Sequence, residues 1–67
     1  MTTVLVNGQP RTVADGATLA DVVAQLSDRP TGVAAAVDDE GVPRSGWAST
    51  VLVDGARVEV LTAVQGG

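Results

Sequence analysis

The sequence predicts one small α+β domain, a mixed sheet of four to five strands crossed by a single helix. Three observations predict it. Short β-branched segments punctuated by Asn-Gly and Asp-Gly turns flank one segment of helical periodicity. The chain has 67 residues, enough for one core and no more. Its apolar content is 45%, almost all Val, Ala and Leu, with one Trp and neither Phe nor Tyr, so the core must be thin and built from small branched side chains.

The elements follow in order. Thr2 to Val6 is rich in β-branched residues and reads as a strand; with Val4 and Val6 turned inward, Leu5 faces the other way. Asn7-Gly8 is a strong hairpin signal, because both residues tolerate positive φ. Gln9 to Val13 is the returning strand, and Pro10, with no N–H to donate, makes it either an edge strand or one that carries a bulge. After the Asp15-Gly16 turn, Thr18 caps a helix in which Asp21 completes a capping-box variant. Leu19, Val22, Val23 and Leu26 then repeat as one buried stripe. Ser27 and Asp28 fray the helix, and Pro30 stops it.

Val33 to Val37 is a short apolar strand, and Asp38-Asp39-Glu40-Gly41 is a polar turn. Residues 42–47 form an irregular link in which Trp47 plugs one end of the core and Arg44 pairs with a carboxylate. A strand is expected over residues 50–53, a turn at Asp54-Gly55, and a last strand over 57–63 with Val58 and Val60 inward and Glu59 and Leu61 outward. Residues 64–67 form a flexible Gly-Gly tail. Two strands, a crossover helix and further strands make the plan of a ubiquitin-like β-grasp. The first and last strands then lie parallel at the sheet centre under a right-handed crossover. The whole of residues 1–67 is one such domain.

Composition narrows the chemistry. With no Cys there is no thiolate metal site, and with no His the commonest general base and metal ligand is missing. All four cations are arginines, so no lysine exists to reach the phosphates of a P-loop. These gaps argue against an enzyme and against a bound cofactor or metal. The acid run at residues 38–40 reads as a solvated loop. The net charge of −4 disfavours nucleic acid, and no basic amphipathic or long apolar segment suits a membrane. Met1-Thr2-Thr3 leads straight into a strand without a signal-peptide core, which points to the cytoplasm, with the chain expected to be a monomer on its own.

Gly66-Gly67 carries the functional signal. Two glycines let a terminal carboxylate pass down a narrow channel in another protein. The carboxylate itself is a poor electrophile. Joined to the α-phosphate of ATP it becomes a mixed anhydride, and a sulfur nucleophile can displace AMP to leave a thiocarboxylate at Gly67. The absence of Cys means that the sulfur must come from elsewhere. The absence of Lys leaves no ε-amine on the chain for an activated terminus to acylate.

Val4-x-Val6-Asn7-Gly8, Thr18-Leu19, Val42-Pro43-Arg44-Ser45-x-Trp47, Asp54-Gly55 and Ala63-Val64-x-Gly66-Gly67 together resemble the ThiS family of thiamine-biosynthesis sulfur carriers, over essentially the whole chain. Asp38-Asp39 stands where the family often has Asn-Gly, and Gly41 where a bulkier residue is expected. The resemblance implies a ThiF-type adenylyltransferase that uses ATP to activate Gly67. It also implies a cysteine desulfurase or sulfurtransferase as sulfur donor, and a ThiG-type thiazole synthase as acceptor. Val64, Gln65, Gly66 and Gly67 would enter the partners, and Leu5 and Leu61, expected as neighbours on the open sheet face, would form the docking patch. Alternatives at this stage are a molybdopterin synthase small subunit, a sulfur carrier of another pathway, a ubiquitin-like modifier of lysines, and an interaction module without chemistry.

Overall fold

In a computed structural model, which describes residues 1–26 and 32–62, the sheet has five strands. In chain order the elements are β1 (Thr2–Val6), β2 (Gln9–Val13), α1 (Leu19–Leu26), β3 (Val33–Val37), β4 (Glu40–Val42), a 3₁₀ helix (Arg44–Ser49) and β5 (Arg57–Thr62). The strands lie in the order β2-β1-β5-β3-β4. β1 and β5 are parallel, and every other pairing is antiparallel. This is the β-grasp arrangement expected from the element order, with the Pro10 strand at an edge.

Both hairpins use two-residue loops in which both residues have positive φ, the twist that matches flanking strands. Asn7 and Gly8 (φ 51° and 83°) let Val6 pair with Gln9, and Asp38 and Asp39 (φ 50° and 71°) let Val37 pair with Glu40. Asp, like Asn, enters the left-handed region more readily than most side chains. The second loop therefore closes tightly without glycine, and Glu40 and Gly41 belong to a strand rather than to the turn.

The helix starts as its residues dictate. The Thr18 N–H donates to Asp21 Oδ2 (3.0 Å) and the Asp21 N–H donates to Thr18 Oγ1 (3.3 Å), a reciprocal capping box. Leu19, Val22 and Val23 are buried, and Leu26 packs partly against the core. The expected helix stop at Ser27, Asp28 and Pro30 lies outside the described residues.

Alternation along the central strands supplies the other half of the core. Val4, Val6, Val58 and Val60 face the helix, while Thr3, Leu5, Arg57, Glu59 and Leu61 are exposed. Trp47 is the large plug the composition calls for. It is 5% exposed, and its indole Nε1–H donates to the Val42 carbonyl (2.9 Å).

Two expectations are corrected. Residues 50–53 are not a strand of the sheet. Val51 makes a single bridge to Thr18, the Leu19 N–H donates to the Thr50 carbonyl and the Leu52 N–H to the Ala17 carbonyl, both at 2.9 Å. This segment pairs with the chain entering the helix, and Leu52 drops into the core from there. The fifth strand is instead β4, and the link after it winds into the 3₁₀ helix that carries Trp47 inward. In addition, Arg44 is exposed and forms no ion pair among the described residues.

Because a 67-residue domain buries only about 60% of its unfolded surface, single core truncations weigh heavily. Leu19→Ala, at a fully buried position, is expected to lower unfolding free energy by about 3 kcal/mol. Leu61→Ala, at a residue 68% exposed, should change it by less than about 0.5 kcal/mol. Urea unfolding followed by the fluorescence of Trp47 measures both.

Candidate functional site

The helix covers one face of the sheet, and the opposite face is formed by the outward residues of every strand. Register places them. Thr3 pairs with Thr12 and Leu5 with Pro10; Leu5 also lies beside Arg57. On the other half, Leu61 pairs with Ala34, Glu59 with Ala36, and Ala36 with Gly41. Cross-strand partners share a face. Leu61 therefore stands opposite Ala34 and shares its face with the small residues Ala36 and Gly41. The identity of Gly41 has no backbone cause: a Cβ there would meet nothing within 4 Å.

Leu5 (37% exposed) and Leu61 (68% exposed) share this face as expected, but they are not neighbours. Leu5 is level with Arg57, four residues before Leu61 on β5. At about 3.3 Å per residue the two leucines stand about 13 Å apart along the strand, with Glu59 between them. The parallel pairing of β1 with β5 is the reason, because it ends at Val58 and β1 does not reach the level of Leu61. The face carries two apolar points separated by a charged one. Val64, Gln65, Gly66 and Gly67 lie outside the described residues.

β5, which leads towards Gly67, is held by side chains at both ends. At its start, the Asp38 N–H donates to the Arg57 carbonyl (2.8 Å) and Asp38 Oδ1 accepts from the Arg57 N–H (3.0 Å). The Arg57 guanidinium also donates to Asp39 Oδ2 (2.9 Å), an ion pair between largely exposed groups. The acid run is thus the fastening of a hairpin to β5. Among the described residues no group of three or more His, Cys, Asp or Glu side chains could hold a metal ion. Further along, Asn7 Oδ1 accepts from the Val60 N–H (2.9 Å) and Asn7 Nδ2 donates to the Val60 carbonyl (3.2 Å). Neither fastening was anticipated from sequence; the positive-φ pairs Asn7-Gly8 and Asp38-Asp39 signalled turns, and the side-chain reach to β5 is visible only in three dimensions.

The other concavity lies between Val13–Ala17 and the helix residues Asp21, Ala24 and Gln25. Its two acids are occupied: Asp15 takes the Met1 ammonium (3.2 Å) and the Thr2 hydroxyl (2.9 Å), and Asp21 caps the helix. Among the described residues no helix is long and apolar enough to cross a membrane.

The strand order and the single covering helix make this a β-grasp domain with one open, partly apolar sheet face. Comparison with known proteins specifies the family. The ThiS family matches residues 4–67. The sulfur carrier protein ThiS of Escherichia coli (strain K12) is 33% identical over 64 residues, covering 96% of this chain and 97% of that protein. The crystal structure of a thiamine biosynthesis protein (ThiS) from Geobacter metallireducens superposes with a TM-score of 0.80 at 28% identity, covering 98% of this chain and all of that one. The chain belongs to the ThiS family.

The geometry separates two contributions at the start of β5. Asp38→Ala removes the acceptor for the Arg57 N–H and places Ala at φ 50°. It is expected to lower stability by about 2 kcal/mol. Asp39→Asn removes only the charge of an exposed pair and should cost less than about 0.5 kcal/mol. Urea midpoints of the two variants check the ordering.

Proposed function

We propose that this chain is a sulfur carrier of thiamine biosynthesis whose reactive group is the Gly67 carboxylate. The observation that carries the reading is the family match, which extends through residue 67 and so includes Gly66-Gly67. The names of the Escherichia coli and Geobacter proteins support both halves of it, sulfur carriage and thiamine.

In this reading a ThiF-type adenylyltransferase binds the carrier and ATP. A Gly67 carboxylate oxygen attacks the α-phosphorus, the bond to pyrophosphate breaks, and an acyl adenylate forms. The terminal sulfur of a persulfide on a cysteine desulfurase or sulfurtransferase attacks the carbonyl carbon, AMP leaves, and an acyl disulfide forms; a thiol then attacks the donor's cysteine sulfur, the S–S bond breaks, and the thiocarboxylate departs while thiol and donor are left joined as a disulfide. A ThiG-type thiazole synthase takes the sulfur. The carrier binds no cofactor of its own, and catalysis belongs to its partners.

The chain's own part is positional. β5 runs along the sheet centre towards the tail, and the open face presents Leu61 close to the point where β5 ends. That face is where the adenylating enzyme docks, with Leu61 as the nearer anchor and Leu5 as the farther one.

Purified carrier mixed with a ThiF-type enzyme and ATP should release pyrophosphate, and adding a sulfur source should convert Gly67 to a thiocarboxylate. Removing Gly67 should abolish both. Leu61→Arg should weaken binding to the adenylating enzyme by about tenfold or more while leaving the urea midpoint unchanged. Wild-type carrier that releases no pyrophosphate contradicts the reading. Transfer of sulfur to a molybdopterin synthase large subunit instead of thiazole synthase would retain carriage and overturn the pathway.

A further inference from the structure

The partners of β5 are unequal along its length. On one side β3 accompanies it throughout, from Val37 opposite Val58 to Val33 opposite Thr62. On the other side β1 supports only its first part: the Leu5 N–H donates to the Ala56 carbonyl (2.9 Å), the Asn7 N–H donates to the Val58 carbonyl (2.8 Å), and the chain then turns away at Asn7-Gly8 into β2. In a parallel ladder the next rung belongs to Val60. A backbone residue continuing β1 would fill it, but none is there. The Asn7 side chain occupies that rung. Its Oδ1 takes the Val60 N–H and its Nδ2 gives a hydrogen to the Val60 carbonyl, so the carboxamide stands in for a peptide group.

We infer that Asn7 is a positioning residue for the chemistry at Gly67: its side chain extends the β1 edge by one rung and fixes the end of β5, from which the reactive tail continues. The inference rests on the carrier reading above. The argument is one of conformational freedom. Without the Val60 rung, residues 59–62 of β5 hang on β3 alone, and the tail starts from a looser base. An enzyme that must thread Gly67 to ATP then selects from a broader set of tail directions, and the apparent affinity falls by the fraction of competent conformers. The chemical step, once the tail is seated, is unaffected.

Asn7 also occupies a left-handed turn position (φ 51°), so a loss caused by turn strain must be separated from a loss of the rung. Gly adopts that backbone freely and has no side chain. Asn7→Gly therefore keeps the turn and deletes the rung. Asn7→Asp keeps an oxygen to accept the Val60 N–H but turns a second, charged acceptor towards the Val60 carbonyl in place of the donor. Both variants and the wild type would be tested at a temperature well below unfolding. One readout is initial pyrophosphate release with a ThiF-type enzyme and ATP; the other is amide hydrogen exchange read by NMR.

Asn7→Gly is expected to raise the KM for the carrier about tenfold, the equivalent of two net hydrogen bonds lost, with kcat unchanged. Asn7→Asp, which retains one of the two hydrogen bonds and sets a carboxylate oxygen against the Val60 carbonyl, should recover only part of that loss. The Val60 amide should exchange faster in Asn7→Gly, while the Val4 and Val22 amides in the core keep their protection. An unchanged KM in folded Asn7→Gly overturns the inference and leaves the carrier reading intact. A fall in kcat, or a uniform loss of protection across the core, also overturns it, since a merely structural role would produce that pattern. Absence of pyrophosphate release by the wild type overturns the carrier reading and this inference with it.

Discussion

The parallel contact between β1 and β5 pairs only Leu5 with Arg57 and Val6 with Val58, yet the rest of the sheet is assembled on it. β2 attaches to the outer side of β1 and β3 to the outer side of β5, with β4 beyond. The inward residues of these two strands, Val4, Val6, Val58 and Val60, are the surface on which α1 lays Leu19, Val22 and Val23. A parallel pair cannot be closed by a tight turn and needs a long crossover. The intervening chain supplies it with the helix, a hairpin and the 3₁₀ segment that brings Trp47 and Leu52 to the remaining gap.

The same alternation that buries Val58 and Val60 exposes Arg57, Glu59 and Leu61. One strand therefore contributes to the core and to the open face, and it also leads towards the diglycine. Its two side-chain fastenings lie at functionally different places. Asp38 holds the start of β5, where the hairpin β3-β4 must be kept in register; Asn7 holds the far part, where β1 has already turned away. Both residues adopt positive φ, so each serves simultaneously as a turn former and as a backbone mimic for a neighbouring strand. Short polar side chains are suited to this, since they tolerate the left-handed backbone and reach local peptide groups.

Local chemistry is legible at three short-range signals. Thr18 and Asp21 specify the helix start through hydrogen bonds three residues apart, and Asn7-Gly8 specifies its hairpin through backbone torsion. Pro10 marks the edge through a missing donor. The misreadings have two sources, partners distant in sequence and a two-residue turn hidden inside a run of acids. Residues 50–53 have the composition of a strand, but the segment available to them is the entry to α1, not the sheet edge. Asp38-Asp39-Glu40-Gly41 looks like a solvated loop because its acids dominate; the two-residue turn consumes only the first two, leaving Glu40 and Gly41 to pair with Val37 and Ala36. Leu5 and Leu61 were assigned to one face by their period of two, which sequence shows, and to adjacent positions by a register that sequence does not show. Gly66-Gly67 differs from both cases: it is a matter of residue type and order, independent of packing, and it lies outside the described residues.

Sulfur carriage at Gly67, as proposed, is directly measurable because the chain has no cysteine. The protein would be isolated from its native host during active thiamine synthesis and treated with a thiol-alkylating reagent. Intact-mass and C-terminal fragment spectra would then be recorded. No side chain offers a thiol, so a sulfur carrier should show a single adduct that maps to Gly67, with oxygen replaced by sulfur at the terminus. A terminus that remains an unmodified carboxylate, both in that preparation and after incubation with adenylating enzyme, ATP and a sulfur source, would contradict the proposal.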